Sequence, residues 1–578
     1  MRSLRLALAQ INTTVGDFEG NVKKIIKYTA QATSQHADIV AFPELSLTGY
    51  PPEDLLLKPE FIEDNLQYLK KLVPYSKDVT MIIGFVDRQD DIFNSAAVLH
   101  NQQLVHVYHK HFLPNYGVFD EDRYFQKGDK IPVFSIDGVN IGVTICEDIW
   151  YPFGPTRDQA LYGNAEIIIN ISSSPFSIGK GQDRFQMLSQ RAIDNTVKVA
   201  YLNLVGAQDE LVFDGNSMII SEDGELIVKA SSFTEDLIIA DLYPDNVFTK
   251  RLHDPRRRKE KLVLPKDRII EQISLSAKAT RKDKPPIKMK NTEFLDPTTE
   301  IYEALKLGLK DYVLKNGFEK VVLGISGGID SALVCTIAVD TLGAENVIGI
   351  SMPSDYTSSQ STKDSRQLAE NLGIKYHEIP IKNIFQIYLD ELKPQFKNLE
   401  PDITEENIQA RIRGNIVMAL SNKFGWLVLS TGNKSETAVG YCTLYGDMAG
   451  GFSVIKDIYK GMVYELCRYR NQLAGKNIIP ESILEKEPSA ELKENQKDSD
   501  SLPVYDILDQ ILKSYVEEDF SYEEIVNQGF DPAIVKRVIY LVDSNEYKRR
   551  QSAPGIRITH RAFGKGRRIP ITNRYNNV

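Results

Sequence analysis

Residues 320–338 read KVVLGISGGIDSALVCTIA, and they decide the fold of the second half of this chain. A short run of Val and Leu is typical of a buried strand, a glycine-rich turn follows it, and the next apolar run is typical of a helix. Glycines permit a left-handed backbone and close approach to a ligand, and successive N–H groups at a helix start bind anions. The stretch therefore predicts a phosphate-binding loop between a strand and a helix.

This loop differs from two common nucleotide-binding motifs. It lacks the Lys of GxxxxGK[ST], and its glycines do not have the GxGxxG spacing of dinucleotide-binding proteins. Asp330 lies inside the loop, where a carboxylate would repel a phosphate unless a divalent cation lay between them. We therefore expect Mg²⁺ to join Asp330 to a pyrophosphate group.

Strands and helices alternate on both sides of the loop. The sequence predicts a helix over 299–317 and strands over 345–353 and 425–431. This βαβ order is typical of a doubly wound parallel sheet with helices on both faces. The stretch 486–501, KEPSAELKENQKDSDS, carries few apolar residues, so it is either a plain loop or a lid over an active site.

The first half of the chain also has an α/β pattern. Short runs rich in Val and Ile predict strands over 4–11, 37–44, 79–86, 139–147, 165–172 and 197–205. Longer helical patterns cover 21–35 and 183–197. Between the halves, 244–297 is charged and has little pattern, which indicates a connector, and we interpret its basic run RRRKEK (256–261) as a solvated linker.

Composition and charge exclude several classes of protein. The 578 residues are too many for one core, so we expect two or three domains. A net charge of −10 argues against a general nucleic-acid binder, and no apolar run approaches the ~20 residues of a membrane helix. The four cysteines, at 146, 335, 442 and 467, form neither a disulfide framework nor a CxxC pattern, so we expect a cytoplasmic protein.

Three residue types needed for thiol chemistry follow predicted strands. Glu44 ends one strand, Cys146 follows another, and Lys110 lies between them in the sequence. A thiolate can act as nucleophile, a carboxylate can take the thiol proton and later activate water, and an ammonium can stabilise an oxyanion. This combination predicts acyl transfer from an amide through a thioester.

Three segments around these residues resemble the nitrilase, or carbon–nitrogen hydrolase, superfamily. They are FPELSLTGYPPEDLL at 42–56, KHFLPNYGVFDEDRYF at 110–125 and ICEDIWYP at 145–152. The resemblance covers 1–270 and implies an αββα sandwich, with Glu44 as base, Lys110 as oxyanion partner and Cys146 as nucleophile. It also implies that Glu121 orients substrate and lysine. The glutaminase branch of the family further implies that L-glutamine is bound by Tyr116, Ser174 and Lys180.

The glycine-rich loop resembles that of the ATP pyrophosphatase, or adenine nucleotide α-hydrolase-like, superfamily. Its members split ATP between the α and β phosphates and adenylate an acceptor oxygen. Together with STGNKSE (430–436), YGDMAGG (445–451) and KEPSAEL (486–492), the loop resembles the NAD⁺ synthetase family over 295–578.

The NAD⁺ synthetase resemblance implies a set of binding residues in the second half. For ATP these are Gly324, Ile325, Ser326, Gly327, Gly328, Ile329, Asp330, Ser331 and Thr431. For deamido-NAD they are Asn407, Arg411, Glu436, Lys460 and Lys548, with Arg411 and Arg413 as alternatives for a phosphate contact. The implied Mg²⁺ ligands are Asp330 and Glu436. We also interpret the basic run THRAFGKGRR (559–568) as positive charge that suits phosphorylated substrates, with no nucleic acid as partner.

The two halves make chemical sense together, because one releases ammonia and the other consumes it. Residues 1–270 are predicted as the glutaminase domain, 271–294 as a connector and 295–578 as the synthetase domain. The whole chain resembles the glutamine-dependent NAD⁺ synthetase family, which implies transfer of ammonia between sites and a homo-oligomer whose symmetry the sequence does not specify. Two rival hypotheses are the same modules acting on a different nucleotide acceptor, and a non-catalytic sensor of glutamine or nucleotides.

Overall fold

A computed structural model describes residues 2–263, 270–275, 284–287, 291–397 and 399–575. Its contacts divide the chain into two compact units. The first comprises Met1–Gln208 with Val212–Leu295, and the second comprises Asp209–Leu211 with Asp296–Val578. No helix among these described residues is long and apolar enough to cross a membrane.

The first part of the chain contains most of the strands. Up to Leu295 they are β1 Leu4–Gln10, β2 Ile39–Ala41, β3 Thr80–Arg88, β4 Ile92–His100, β5 Gln103–His109, β6 Ile131–Ile136, β7 Val139–Ile145, β8 Ile167–Ser172, β9 Lys198–Asn203, β10 Val205–Gln208, β11 Leu211–Asp214, β12 Met218–Ile220, β13 Leu226–Lys229, β14 Asp236–Leu242 and β15 Ile270–Ser274. The helices are α1 Phe18–Ser34, α2 Pro59–Leu72, α3 Pro155–Leu161, α4 Lys180–Asn195, α5 Asp245–His253 and α6 Arg256–Val263. Each apolar run predicted as a strand is confirmed, as are the two predicted helices.

Two mixed sheets face each other in this unit. The strand orders are β14-β1-β2-β3-β4-β5 and β13-β12-β9-β8-β7-β6-β15. Apolar side chains from both sheets form one buried core, to which Leu6, Val98, Val143 and Ile169 belong. Helix α4 covers the outer face of the second sheet through Leu188 and Ala192, and α2 packs against β3 of the first. The predicted αββα sandwich is confirmed.

The predicted connector, residues 271–294, begins with part of a β-strand. Helices α5 and α6 precede it, and β15 pairs in parallel with β6, so residues 271–274 complete the second sheet. RRRKEK belongs to helix α6, so its interpretation as a linker is wrong, although Arg256, Arg258 and Lys259 are exposed to solvent as expected. Arg257 is partly buried and donates to the carbonyls of Ala160 and Leu161 at the end of α3. Residues 276–283 and 288–290 of the predicted connector lie outside the described residues.

The second unit begins with a well-capped helix. The Asp296 side chain accepts hydrogen bonds from the N–H groups of Thr298 and Thr299, and Pro297 occupies the first turn. The helices are α7 Pro297–Lys315, α8 Ile329–Leu342, α9 Ser359–Leu372, α10 Lys382–Phe396, α11 Ile403–Phe424, α12 Lys434–Val439, α13 Lys460–Ala474, α14 Glu481–Glu485, α15 Tyr505–Leu512, α16 Tyr522–Asn527, α17 Pro532–Ser544 and α18 Glu546–Arg549. The strands are β16 Val321–Gly324, β17 Val347–Ser351, β18 Lys375–Glu378, β19 Leu427–Ser430 and β20 Phe452–Ser453.

The sheet of this unit is parallel, with the order β18-β17-β16-β19-β20. Strands β17 and β18 lie on one side of β16, and the chain then crosses over to place β19 and β20 on the other side. Helices α8 and α11 both pack against β16. Val322 of β16 belongs to one buried apolar cluster with Val417 of α11 and Val428 of β19. The predicted doubly wound sheet is confirmed, and its switch point lies between β16 and β19, where such folds bind ligands.

Candidate active sites

A sharp turn presents Cys146 at the end of β7. The strand ends at Ile145, and Cys146 itself has a left-handed backbone, with φ of 42°, at the start of a 3₁₀ turn. A non-glycine residue in this region is strained and is typical of functional sites. The Cys146 side chain is buried, and Asn170 donates to its carbonyl oxygen at 3.4 Å. The structure therefore places the predicted nucleophile in a buried turn at a strand end.

Lys110 joins the two predicted carboxylates. Its Nζ lies 2.7 Å from Oε1 of Glu44 and 2.9 and 2.8 Å from the two carboxylate oxygens of Glu121. Lys110 and Glu44 are wholly buried, and Glu121 is nearly so. The Cys146 thiol lies close enough to feel the charges of all three groups. The structure thus brings together the four residues predicted to be catalytic.

Burial and neighbouring charges together set the protonation states of Cys146 and Lys110. It raises the pKa of Cys146 well above its usual value, Glu44 raises it further, and Lys110 acts in the opposite direction. Burial alone would lower the pKa of Lys110, but Glu121 and Glu44 outweigh it and raise that pKa well above the usual value. The lysine is therefore an ammonium, and the free thiol needs a base before it can attack.

Several residues that support this site were not predicted. Asn94 on β4 donates to Glu44 at 2.8 Å and to Glu121 at 3.4 Å. The Ser173 backbone N–H donates to Glu44 at 2.8 Å, and the Tyr50 hydroxyl donates to Glu121 at 3.1 Å. Asn94 lies on an unpredicted strand and Ser173 acts through its backbone, so their side-chain types carried no signal. Tyr50 lies within the segment 42–56 that contains Glu44, so its position in the sequence could have indicated a place in the site.

Two of the predicted glutamine-binding residues, Tyr116 and Lys180, act on a further carboxylate, Glu147. Tyr116 is exposed, and its hydroxyl donates to Glu147 at 3.0 Å, next to Cys146. Burial raises the pKa of Glu147, whereas Tyr116, Lys110 and Lys180 counteract that rise. Ser174 is buried, and its N–H donates to Oδ1 of Asn203 at 2.8 Å. This side of the site offers both signs of charge, and Glu147 could have been noticed as the neighbour of the predicted nucleophile.

The second site is a cavity of about 300 Å³ at the switch point of the parallel sheet. Predicted residues that line it are Gly324, Ile325, Ser326, Gly328, Ile329, Asp330, Ser331, Thr431, Glu436 and Lys460. Gly327 has a φ of +79°, and a Cβ there would lie 2.3 Å from the Ser361 carbonyl oxygen. The Ser331 hydroxyl donates to the Gly328 carbonyl at 2.9 Å and closes the loop at the start of α8. The predicted loop geometry is therefore present.

Lys460 lies between two carboxylates at the edge of this cavity. Its Nζ lies 2.5 Å from Asp330 and 3.0 Å from Glu436. Burial raises the pKa of Glu436 to about 7, with Lys460 acting in the opposite direction. Asn433 was not predicted, yet it donates to Asp330 at 2.8 Å and accepts from the Glu436 N–H at 2.9 Å. One amide side chain thus binds the Asp330 carboxylate and the backbone of Glu436.

The donor set fits a magnesium ion that is completed by a substrate. Among the described residues no group of three or more His, Cys, Asp or Glu side chains could hold a metal by itself. Mg²⁺ is usually bound by one or two carboxylates together with substrate phosphates and water. Asp330 and Glu436 share the partner Lys460 and line the same cavity as the phosphate loop, so they match that requirement.

Other predicted substrate residues lie elsewhere in the part of the chain that the structure describes. Asn407, Arg411 and Lys548 are not among the residues that line the cavity, whereas Arg413 is. Arg411 is exposed and donates to the Leu444 carbonyl, and Lys548 donates to the Gly440 carbonyl at 2.7 Å. Asn407 accepts from the Thr443 hydroxyl at 2.8 Å. A cavity contact by Arg411 is therefore absent from this structure.

The basic run near the C-terminus packs against acidic residues instead of lining this cavity. Arg567 is buried, and its guanidinium lies 3.6 Å from Asp543. Arg561 pairs with Asp519. Neither arginine is among the described residues that line the cavity, so their positions do not support the interpretation of 559–568 as positive charge for phosphorylated substrates.

The KEPSAEL segment lines the cavity, which favours a segment over an active site over a plain loop. Lys486 donates to the Ser361 hydroxyl at 2.6 Å and to Glu491 at 2.8 Å, and the same hydroxyl donates to Glu491. Ser361 is the residue whose carbonyl oxygen lies against Gly327. The segment is thus tied to the back of the phosphate loop.

Comparisons with known proteins assign a family to each part of the chain. The chain matches the carbon-nitrogen hydrolase family over residues 5–249 and the NAD synthase family over residues 301–552. It is 50% identical to the glutamine-dependent NAD(+) synthetase of Thermotoga maritima, covering 100% of this chain and 99% of that protein. It is 49% identical to the enzyme of the same name from Aquifex aeolicus, over 99% of this chain and 100% of that protein.

A solved structure extends the similarity to the whole chain. The glutamine-dependent NAD⁺ synthetase of Acinetobacter baumannii, in complex with ADP, is 43% identical, with a TM-score of 0.74 and 99% of each chain covered. These relatives cover nearly the whole chain and therefore both units. The chain therefore belongs to the glutamine-dependent NAD(+) synthetase family.

Proposed function

We propose that this chain uses ammonia from L-glutamine to convert deamido-NAD to NAD⁺, with ATP as the second substrate. Glutamate, AMP and diphosphate are the other products. The observation that carries the proposal is the presence, in one chain, of the Glu44–Lys110–Glu121 cluster beside Cys146 and of a phosphate loop beside the Asp330–Lys460–Glu436 group. The first arrangement suits amide hydrolysis, and the second suits ATP-dependent activation of a carboxylate.

Glutamine hydrolysis begins with proton transfer from Cys146 to Glu44. The sulfur attacks the side-chain amide carbon, and the negative oxygen that forms is stabilised by the ammonium of Lys110. Glu44 then returns the proton to the departing nitrogen, so ammonia leaves and a thioester remains. Water, deprotonated by Glu44, hydrolyses the thioester to glutamate, and the proton returns to the thiol. Glu121 and Asn94 keep Lys110 and Glu44 in place throughout.

Recognition of glutamine uses charges on the rim of the first site. An α-amino acid carries an ammonium and a carboxylate, and the Glu147 carboxylate and the Lys180 ammonium offer the opposite charges. Tyr116 orients Glu147 through its hydroxyl, and Ser174 belongs to a turn held by Asn203. These contacts favour glutamine over simple amides.

Activation of deamido-NAD takes place at the second site. The nicotinate carboxylate attacks the α-phosphate of ATP, diphosphate leaves, and ammonia then displaces AMP from the acyl adenylate. The loop residues 324–331 hold the ATP phosphates, Thr431 contacts ATP, and Lys460 offsets part of the phosphate charge. Mg²⁺, held by Asp330 and Glu436, would neutralise charge on the leaving diphosphate. Asn407, Glu436 and Lys548 are proposed to contact deamido-NAD, and the cavity position of Arg413 favours it over Arg411 for a phosphate contact.

Transfer of ammonia out of contact with bulk water completes the proposal. Ammonia in water at neutral pH is mostly ammonium, which is not a nucleophile, so direct transfer would preserve the reactive form. We also propose that the enzyme works in the cytoplasm as a homo-oligomer, in keeping with its reduced, unpaired cysteines and with the family resemblance.

Replacing Cys146 tests the division of labour. In Cys146→Ala we expect glutamine-supported NAD⁺ formation to disappear and ammonia-supported formation to stay near the parent value, because only the first site loses its nucleophile. NAD⁺ and AMP are measured with deamido-NAD, ATP and Mg²⁺, using glutamine or ammonium chloride. Asp330→Ala serves as the reciprocal variant and should lose both glutamine-supported and ammonia-supported NAD⁺ formation. Failure of ammonium chloride to support Cys146→Ala would contradict the assignment.

A further inference from the structure

Asp148 is a buried carboxylate that the glutaminase mechanism does not use directly. It follows Cys146 by two residues and has no exposed surface. Its Oδ2 accepts hydrogen bonds from the Tyr108 hydroxyl at 2.7 Å and from the Ile145 N–H at 3.0 Å. Its Oδ1 accepts from the N–H groups of His111 and Phe112, both at 3.0 Å. Four donors therefore converge on one side chain.

These donors come from the two segments that carry the reacting groups. Ile145 immediately precedes Cys146, whose left-handed backbone has to be held in place. His111 and Phe112 immediately follow Lys110, and Tyr108 lies two residues before it on β5. Asp148 is thus the direct link between the turn that presents the nucleophile and the segment that presents the ammonium.

A carboxylate at this position is costly, so its retention needs a physical reason. Burial raises the pKa of Asp148 above its usual range, although His111 and the N–H donors counteract that rise. An unpaired buried charge is unfavourable unless hydrogen bonds satisfy its oxygens. An amide of the same shape would keep one acceptor oxygen but would place an NH₂ group against a second donor. Only a carboxylate can accept from both segments with both oxygens.

We propose that Asp148 is a positioning residue for glutamine hydrolysis, which sets the place of the Cys146 sulfur relative to Lys110 and Glu44. This role rests on the proposed function of the first site. Displacement of a reacting group by about 1 Å can reduce a rate by roughly 100-fold, whereas binding of a substrate at the rim need not change. The proposal therefore concerns kcat and not the affinity for glutamine.

The test is steady-state kinetics of full-length Asp148→Asn. We expect kcat for glutamate release to fall by about 10- to 100-fold. We expect KM for glutamine and the rate of ammonia-supported NAD⁺ formation to stay near the parent values. Unchanged kcat would overturn the proposal. An equal loss of ammonia-supported synthesis would indicate a general folding defect, and the decision would then rest on a second variant.

A milder variant keeps the test decisive if Asp148→Asn does not fold. Tyr108→Phe removes one of the four donors and retains the charge, so we expect a smaller fall in kcat, again without a change in KM. A parent-like kcat in Tyr108→Phe together with misfolded Asp148→Asn would assign Asp148 to stability alone and overturn the proposal. Cys146→Ala, assayed in parallel, separates the two hypotheses: glutaminase activity in that variant would contradict the proposed function itself.

Discussion

At the scale of single residues, the charge of Lys110 depends on its neighbours. The ammonium is fully buried, and desolvation alone would favour the neutral amine. Glu44 and Glu121 reverse this preference through direct hydrogen bonds. Removing either carboxylate leaves the buried ammonium with fewer partners. The loss of stability is then larger than the net stabilisation that the ion pair provides. The three residues thus act as one unit, and the loss of one alters the others.

The pH dependence of glutamine hydrolysis follows from this unit. Burial raises the pKa of Glu121 to about 7, so the group is protonated below that pH and ionised above it. Ionised Glu121 holds Lys110, whose own raised pKa keeps it an ammonium throughout this range. We therefore expect kcat/KM for glutamine hydrolysis to rise with pH through about 7. The measurement is glutamate release across this range.

Glu121→Gln provides the comparison for that profile. The neutral amide cannot titrate, so the variant should have low activity at every pH, and the rise in kcat/KM near neutral pH should be lost. An unchanged rise in Glu121→Gln would mean that a different group controls the pH dependence.

At the scale of elements, the strand–loop–helix unit formed by β16, the loop and α8 depends on one glycine. Gly327 combines a left-handed backbone with a position where a side chain would meet the Ser361 carbonyl. That carbonyl belongs to α9, whose Ser361 hydroxyl also binds Lys486 and Glu491 of the KEPSAEL segment. A change in this loop therefore affects both the floor of the cavity and the segment that lines it.

Gly327→Ala should impair both glutamine-supported and ammonia-supported synthesis. The left-handed backbone alone costs Ala about 1–2 kcal/mol. At roughly tenfold for each 1.4 kcal/mol, and with the added steric clash, we expect ATP-dependent synthesis to fall by more than about tenfold. Rates of AMP formation at varied ATP concentration measure the effect.

Gly324→Ala is a matched control within the same loop. A Cβ at Gly324 would meet only the end of the flexible Met352 side chain, at 3.3 Å, and the backbone there is not left-handed. We expect this variant to retain most of the activity. Equal losses in both variants would show that the loop rejects any side chain, independent of backbone conformation.

At the scale of the whole molecule, two kinds of chemistry share one chain of 578 residues. A thiol site that makes ammonia and a nucleotide site that uses it gain from being joined if ammonia does not escape. Each unit has its own core, so we expect a single substitution in one site to leave the other unit folded. Linkage of the two sites is therefore a property of the intact chain and has to be measured on it.

Scavenging of free ammonia tests this linkage. An added enzyme that consumes ammonia should leave glutamine-supported NAD⁺ formation by the parent largely intact. Under the same conditions Cys146→Ala supplied with ammonium chloride should stop, because its ammonia comes only from solution. If glutamine-supported synthesis stops as well, ammonia passes through bulk water and direct transfer is excluded.

The sequence alone determined both fold classes and most of the chemistry of this protein. Buried strands such as β8 and β16 are mainly apolar, and the residues around Cys146 and Asp330 occur in short local motifs, so both can be recognised from neighbouring residues. Strands such as β18, which is mostly exposed, and β15 have polar sequences, because edge strands bury fewer side chains.

Only the tertiary structure decided which distant residues meet. Asn94, Ser173 and Tyr50 surround Glu44 and Glu121 because strands and loops far apart in sequence converge at one end of two sheets. Asp148 and Asn433 acquire their roles in the same way, through hydrogen bonds to segments that the linear sequence does not connect. Arg413 and Arg411 are two residues apart on one helix, and the packing of that helix directs Arg413 and not Arg411 to the cavity. Sequence patterns report local conformation and burial, whereas these pairings depend on the free energy of packing whole elements together.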